Sequence, residues 1–283
     1  PDYFDQTPPG EIAEIFAPGI ISMTDRLESK IAFSPDGKSS YFQLYMPDYV
    51  STIFYTERLD GVWSEPVEAS FAINENIELG SISADGNSLY VSTNVRNSSQ
   101  LFKVEITSDG WGELELLPIP INSDASEASD LEMEDGTVYF ESSREGSAGL
   151  DLWRITSSND GTMEAENVGQ VVNSNSWDFS PCIASDGSYL IFGSDRNGRS
   201  GRAHLYISFE DGNGGWTEPV NLNSSGAQIN DDQANQGRAV LSPDGAYLFF
   251  MRHYNSTTMD VYWVSTSFID DIKEIVFNPD ATE

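Results

Sequence analysis

A four-residue turn that ends in Asp-Gly returns five times along the chain at nearly constant spacing. The five turn aspartates, which lie 49, 50, 51 and 58 residues apart, are Asp36, Asp85, Asp135, Asp186 and Asp244. Asp-Gly between two apolar runs predicts a tight reversal, because Asp bonds its own backbone and Gly accepts a positive φ. A repeat of roughly 40 to 50 residues with strands inside it is typical of a β-propeller.

Short apolar and aromatic runs around each turn predict the strands of one blade. In the first repeat these runs are residues 31–33 before the turn, residues 41–42 after it and residues 53–55 beyond a second loop. A fourth strand is written twice as Trp-x-Glu-Pro-Val, at residues 63–67 and 216–220. Because proline cannot donate to a ladder, this strand is expected at the outer edge of a blade.

We therefore predict an all-β fold, a five-bladed β-propeller of four-stranded antiparallel blades in a single domain over residues 1–283. The predicted blades span approximately residues 23–70, 71–121, 122–172, 173–223 and 224–278. Two further strand candidates remain at the termini, residues 10–20 and Glu274–Phe277. One of the two is expected to close the ring, and the sequence leaves open which, or whether both contribute.

Composition narrows the range of partners. With 46 acidic and 14 basic residues the net charge is −32, so the chain is expected to bind neither nucleic acid nor anionic membranes. No window approaches the roughly 18 apolar residues of a membrane helix, so no membrane insertion is expected. The chain begins at Pro1 rather than Met, as processed mature sequences do. Cys182, the one cysteine, is expected to be a small buried hydrophobe.

The repeated turn resembles the PD40 repeats, which are WD40-like, of the TolB-like propeller superfamily. Ser194–Gly198 resembles that family's Ser-Asp-Arg-x-Gly stretch, and residues 204–208 and 260–265 resemble its third strand. Residues 16–20 resemble the opening of exported bacterial members, and the resemblance spans about residues 14–278. It implies a propeller that is secreted or periplasmic. The family includes periplasmic binding proteins, peptidase-associated domains and polysaccharide lyases, so the resemblance leaves the activity open.

The loops that enter the first strands and those that join second to third strands are expected on one face, here called the upper face, opposite the Asp-Gly turns. Most entering loops carry an Ile/Val-Asn pair, such as Ile121-Asn122, followed by an acid or amide. Ring symmetry places these acids and amides around the channel mouth, and we call them the ring residues: Glu28, Glu78, Glu127, Asp178 and Gln236. No cofactor is expected, with calcium held by Glu28, Glu78, Glu127 and Asp178 as the alternative, because carboxylate oxygens suit that ion.

Arginine concentrates on the same predicted face. It follows the second strand in four blades, as Arg96, Arg144, Arg196 and Arg252. Further arginines extend one of these loops or flank the inner ring, namely Arg199, Arg202, Arg26 and Arg238. On one interpretation each arginine pairs with a ring carboxylate and supports a loop. On the other, the guanidinium groups bind an anionic ligand.

Three functional hypotheses follow. The first is binding of a small molecule or oligosaccharide, anionic and carbohydrate-like, by Arg96, Arg144, Arg196, Arg252, Arg238 and Trp177, with Tyr45 and Tyr254 as further stacking surfaces. The second is an enzyme. A lyase would use His253 and Tyr254 beside Arg252, and a glycosidase would use two of Glu28, Glu78, Glu127 and Asp178. The third is a TolB-like protein-interaction platform, which predicts an occluded upper face.

Overall fold

The computed structural model describes residues 3–46, 50–73, 76–95, 98–133, 135–157, 160–196 and 202–278. Within these ranges, no helix is both long enough and apolar enough to span a bilayer.

Strands dominate the described residues. The strands are β1 (Glu14–Ile15), β2 (Leu27–Phe33), β3 (Ser39–Tyr45), β4 (Ser51–Leu59), β5 (Val62–Trp63), β6 (Val67–Glu68), β7 (Ile77–Ile82), β8 (Ser88–Val95), β9 (Ser98–Thr107), β10 (Gly110–Trp111), β11 (Glu115–Leu116), β12 (Glu127–Glu132), β13 (Val138–Ser142), β14 (Asp151–Ser157), β15 (Met163–Asn167), β16 (Asp178–Ile183), β17 (Tyr189–Ser194), β18 (His204–Phe209), β19 (Val220–Asn221), β20 (Asn235–Leu241), β21 (Tyr247–Asn255) and β22 (Thr258–Ser265). Two 3₁₀ turns, Ser70–Ala72 and Leu222–Ser225, and one α-helix, α1 (Phe268–Phe277), complete the set.

The described strands form four sheets, and dividing the nine-stranded one at its parallel bridge gives five antiparallel groups, here called units, each beginning with one of the predicted first strands. Unit 1 is β2–β4 with β5 and β6 on its edge, unit 2 is β7–β9 with β10 and β11, unit 3 is β12–β15, unit 4 is β16–β19 and unit 5 is β20–β22. A parallel bridge between Leu27 and Met259 joins units 1 and 5. β6 and β19 begin directly after Pro66 and Pro219, so each proline stands outside the paired residues.

The repeated Asp-Gly turns have the predicted chemistry. In the first, Asp36 Oδ1 accepts hydrogen bonds from the Ser34 hydroxyl at 2.7 Å and from the Lys38 amide at 3.0 Å. Gly37 has a φ of +67°, and the glycines of the other four turns are also left-handed. These bonds favour the charged carboxylate, so the pKa of each turn aspartate is lowered, that of Asp85 to about 2.

The first strands lie side by side in a cyclic series. β2 contacts β7 and β20, β12 contacts β7 and β16, and β16 contacts β20. The hydrophobic core lies between neighbouring units, as where Tyr41 and Ile53 of unit 1 pack with Leu79 and Val91 of unit 2. Every first strand has a register shift shortly after its ring residue.

The two chain termini behave differently from one another. β1 pairs with β22, where Glu14 lies opposite Trp263, so the N-terminal candidate takes the outer position of unit 5. The strand predicted at Glu274–Phe277 is wrong, because this segment is the end of α1. Phe268, Ile269 and Ile272 form a buried stripe at helical spacing, and acids fill the first turn, where the helix dipole favours negative charge.

Candidate functional site

The asparagine of the Ile/Val-Asn repeat joins neighbouring units on the upper face. Asn173 accepts a hydrogen bond from the Leu152 amide and donates one to the Leu152 carbonyl, both at 2.9 Å. Asn122 makes the same two bonds to Leu101, and Asn230 makes them to Leu205. Each asparagine therefore extends the ladder of the preceding unit as a strand residue would. Asn74, the counterpart in unit 2, lies outside the described residues.

Two of the predicted arginines support the same loops. Arg144 donates to the Ile121 carbonyl at 2.6 Å and to Glu127 at 3.3 Å. Arg196 donates to the Val172 carbonyl and, at 2.7 Å, to Asp178. Both guanidinium groups also lie over two aromatic rings, at 4.8 to 5.2 Å from the centroids. Burial lowers the pKa of Arg144, but the charge of Glu127 opposes this shift.

The other loop arginines make related contacts. Arg252 donates to the Ile229 carbonyl at 2.6 Å and lies 4.5 Å from the ring centroid of Tyr262, and no carboxylate among the described residues forms an ion pair with it. Arg26 donates a hydrogen bond to the Ile21 carbonyl at 2.9 Å, although it precedes the first strand of its unit whereas the other loop arginines follow a second strand or lie in one. Arg96 and Arg199 lie outside the described residues.

Arg252, His253 and Tyr254 were predicted in a loop, and this is wrong. All three lie in β21, which continues to Asn255, whereas β13 and β17 end before their arginines. Burial lowers the pKa of His253. The Tyr254 hydroxyl donates to Asp231 at 2.8 Å, and burial followed by this bond raises its pKa to about 12. The other histidine, His204, faces Asp232 at 3.3 Å.

The ring residues of units 3 and 4 are completely buried and fully bonded. Glu127 accepts hydrogen bonds from the Ser123 amide and hydroxyl, Gln100, Ser142 and Arg144. Asp178 accepts from the amide and hydroxyl of Ser174 and from Arg196. These carboxylates hold their own entering loops in place.

The ring residues of units 1 and 5 are equally buried but incompletely bonded. Glu28 pairs through Oε1 with Arg26 at 3.1 Å, and its Oε2 has no hydrogen-bond partner. Burial raises the pKa of Glu28 to about 7, since the opposing charge of Arg26 does not offset the desolvation. Gln236 donates to the Asp231 carbonyl at 3.0 Å, and its Oε1 has no partner.

Glu78 belongs to a charged group that joins four units, here called the channel cluster: Lys30, Tyr45, Glu78, Glu141 and Arg238. Arg238 donates to Glu78 at 2.9 Å and to the Tyr45 hydroxyl at 3.2 Å. The Glu78 side chain remains 35% exposed and that of Arg238 17% exposed, so solvent reaches the pair. Nη1 of Arg238, by contrast, is buried and has no hydrogen-bond partner.

The charges of the channel cluster shift one another. The charge of Arg238 lowers the pKa of Glu78 despite its burial. Burial alone would lower the pKa of Arg238, but Glu78, Tyr45 and Glu141 together raise it. Burial raises the pKa of Glu141, which accepts a hydrogen bond from the Ser180 amide at 2.6 Å.

Sequence reasoning missed Lys30 and Glu141. A signal for Lys30 was present, because it and Arg238 stand two residues after the ring residue, where the other first strands have Gly80, Ser129 and Ser180. Glu141 stands on a second strand and has no counterpart of its type in the other units, so no repeat pointed to it.

A cavity of about 520 Å³ opens at the Asp-Gly face, opposite the predicted mouth. All five first strands contribute to its walls, and buried Lys30 and Cys182 line it. Cys182 is a free thiol, as expected, and burial raises its pKa to about 12. In the part of the chain that the structure describes, no three His, Cys, Asp or Glu side chains group closely enough to hold a metal ion.

Comparison with known proteins identifies the fold class. No family model and no curated protein matches the sequence. Among solved structures, a proposed TolB from Agrobacterium tumefaciens is similar, with 18% identity and a TM-score of 0.51 over 85% of this chain and 78% of that one. TolB from Acinetobacter baumannii is 13% identical with a TM-score of 0.52, covering 86% of this chain and 55% of that one.

A thermostable family-43 glycoside hydrolase is similar to the same extent, with 13% identity, a TM-score of 0.51 and 90% of both chains covered. By contrast, the match to the Acinetobacter TolB covers little more than half of that protein's length. At such low identity the similarity concerns the fold alone. The chain has a TolB-like β-propeller fold made of antiparallel sheets.

Proposed function

We propose that this protein is a secreted or periplasmic five-bladed propeller that binds a small, anionic, carbohydrate-like ligand at the upper mouth of its channel. The cyclic contacts of the five first strands support the blade count. The observation that carries the binding proposal is the Tyr45–Glu78–Arg238 group, which joins three units at the axis, is partly exposed and keeps one guanidinium nitrogen without a partner.

The proposed site combines unpartnered donors and acceptors. Nη1 of Arg238 and Nε2 of Gln43 are donors, and Oε2 of Glu28 and Oε1 of Gln236 are acceptors, and all four are buried without a hydrogen-bond partner. Buried polar atoms are normally bonded, so these four exceptions, which all belong to units 5 and 1, favour a polar occupant. Hydroxyl groups both donate and accept, and an acidic group suits Arg238.

The remaining predicted arginines have a different role in the proposal. Because Arg144, Arg196 and Arg252 already donate to loop carbonyls, we assign ligand contact to Arg238 and loop support to these three. Arg96 keeps its predicted role as a ligand contact and lies outside the described residues.

Calorimetric titration tests the proposal. The probes are oligosaccharides of glucuronate and galacturonate, sulfated disaccharides and their neutral counterparts. At least one acidic probe should bind. Arg238→Gln should weaken its binding free energy by about 1.5 to 3 kcal/mol because a charged hydrogen bond is lost. Arg154→Gln is the matched control, since Arg154 forms an exposed pair with Glu166. Equal affinity in wild type and Arg238→Gln, with circular dichroism showing a folded variant, would reject the site.

A second candidate function is glycoside hydrolysis at the same mouth. Catalytic acid and nucleophile roles need carboxyls whose environments move their pKa values apart. Burial raises the pKa of Glu28 to about 7, and Arg238 lowers that of Glu78. New reducing ends after incubation with the same probes, lost in both Glu28→Gln and Glu78→Gln, would support hydrolysis. New unsaturated ends would support a lyase, and intact probes leave binding as the function.

A further inference from the structure

A second cavity, of about 510 Å³, lies away from the axis between units 3 and 4. Its walls come from the loop that follows β13, from the loop that enters β16, and from Asp151 of β14 and Asn167 of β15. The polar residues of the lining are Asp151, Asn167, Gln170, Asn173, Ser174 and Asn175, and the described lining holds no basic side chain. The wall is therefore built from one carboxylate, amides and a hydroxyl.

Asp151 is unusual for a carboxylate at this depth. It is 4% exposed, yet none of the ion pairs among the described residues includes it. Oδ1 accepts a hydrogen bond from the Ala148 amide at 3.2 Å, and Oδ2 accepts one from Asn167 at 3.0 Å. A carboxylate offers about four acceptor positions. Half of this capacity remains for a donor that enters the cavity, and buried charge without a cation favours such a donor.

An exposed aromatic ring stands beside this cavity. Trp177 is 57% exposed, and it follows Asn175 of the lining by two residues. Its indole packs on Gly149, next to Ala148 of the lining, so closely that a Cβ there would lie 2.5 Å from the indole Cδ1. The Trp177 amide donates to Asp195 at 2.8 Å, which fixes the loop. The indole is thus held against Gly149 just outside the lining, while more than half of the side chain remains exposed.

We propose that this cavity binds one sugar unit of a neutral saccharide. The carboxylate of Asp151 accepts hydrogen bonds from two sugar hydroxyls, the amides complete the polar contacts, and Trp177 covers the apolar C–H face of the pyranose. The ring offers a flat apolar surface, and its rigidity keeps the entropy cost of binding low. The buried carboxylate and the net charge of −32 disfavour an acidic sugar here.

This site is separate from the channel mouth and does not depend on the function proposed for it. The two sites differ in ligand charge, because Arg238 serves the mouth and the off-axis lining has no cation. Variants of each site are therefore the controls for the other.

Titration of the intact protein with cello-, xylo-, manno- and malto-oligosaccharides, followed by calorimetry and tryptophan fluorescence, tests the proposal. At least one series should bind. Trp177→Ala should abolish the fluorescence change and weaken binding at least about tenfold, and Asp151→Asn should weaken it by about tenfold through loss of charged acceptors. Arg238→Gln should leave this binding unchanged.

Gly149→Ala displaces the indole but leaves Asp151 and Trp177 in the chain, and it should weaken the binding of the same probe. Since Trp177 is exposed, its alanine variant is expected to fold even where Asp151→Asn does not. The proposal is overturned if no neutral series binds at millimolar concentration, if binding survives in Trp177→Ala, or if Arg238→Gln abolishes it. In the last case the saccharide occupies the channel mouth.

Discussion

Units 3 and 4 and units 5 and 1 carry ring residues at equivalent positions, yet the two sides of the ring are bonded differently. Around Glu127 and Asp178 every carboxylate oxygen has a donor. Around Glu28 and Gln236 one oxygen in each side chain has none. Duplication of one repeat explains the complete side, because a loop clamp is needed wherever a unit begins. On the incomplete side the ring residue keeps its position, but one of its oxygens has no donor that holds a loop. An acceptor left without a donor is what binding of an outside group requires.

The largest expected effect of breaking the complete side is at Arg196. Arg196→Ala leaves the fully buried carboxylate of Asp178 without its cation, which costs about 3 to 5 kcal/mol of unfolding free energy. Arg252→Ala should cost less, because in the described part of the chain no carboxylate is paired with Arg252. Urea unfolding followed by tryptophan fluorescence measures both. Similar losses in the two variants would mean that the carboxylate is not what distinguishes the two sides.

The asparagine bonds to the preceding unit should show a slightly smaller contrast that sets unit 1 apart, since Asn230 of unit 5 makes the same two bonds as Asn173. Asn173→Ala deprives both main-chain groups of Leu152 of their partner, and we expect a loss of about 2 to 4 kcal/mol. Ser22 occupies the equivalent place in unit 1 and reaches the Val261 carbonyl only at 3.5 Å, so Ser22→Ala should cost less than about 1 kcal/mol. Chemical denaturation provides both values, and a Ser22→Ala loss equal to that of Asn173→Ala would contradict the comparison.

Because of Glu28, the difference in stability between the two sides of the ring depends on pH. Its folded pKa of about 7 exceeds the ordinary glutamate value of 4.5 because of burial. The protonated folded state is therefore favoured, and this contribution to stability, complete below the unfolded pKa, is lost as the pH rises through 7. Glu28→Gln keeps a neutral side chain at every pH. Its free energy of unfolding should therefore exceed that of wild type by about 2 to 3 kcal/mol at pH 8 and by little at pH 4.

The matched variant for Glu28→Gln is Glu127→Gln. All partners of Glu127 donate to it, so an amide NH₂ group there would face donors. Glu127→Gln should therefore destabilise the protein at every pH. Thermal unfolding from pH 4 to pH 8 separates the two, and a gain in both variants at high pH would show that Glu28 is not special.

Much of this arrangement could be read from the sequence, because a turn that returns five times dictates where strands start and which loops share a face. The Ile/Val-Asn repeat was visible, but its role was not, since a repeated residue is equally suited to a ligand and to a clamp. Lys30 was detectable only as a departure from the small residues at its position. The bonding of Glu28 and Gln236 depends on packing around individual atoms, which no spacing encodes. The C-terminal helix was missed because the short apolar run at residues 275–277 resembled a strand.

The smallest expected effect lies in the Asp-Gly turns and tests whether the difference between the two sides of the ring is confined to the upper face. Gly187 of unit 4 and Gly245 of unit 5 occupy the same turn, with φ of +72° and +69°, and a Cβ on either would meet nothing within 4 Å. An alanine at each position therefore costs only the left-handed backbone strain, about 1 to 2 kcal/mol. The two losses should agree within the error of urea unfolding, because the two glycines have nearly the same backbone conformation. A clearly larger loss at Gly245 would mean that the asymmetry extends through the whole blade, and the vacant hydrogen-bonding positions at Glu28 and Gln236 would then reflect a weaker unit rather than a site kept open for a ligand.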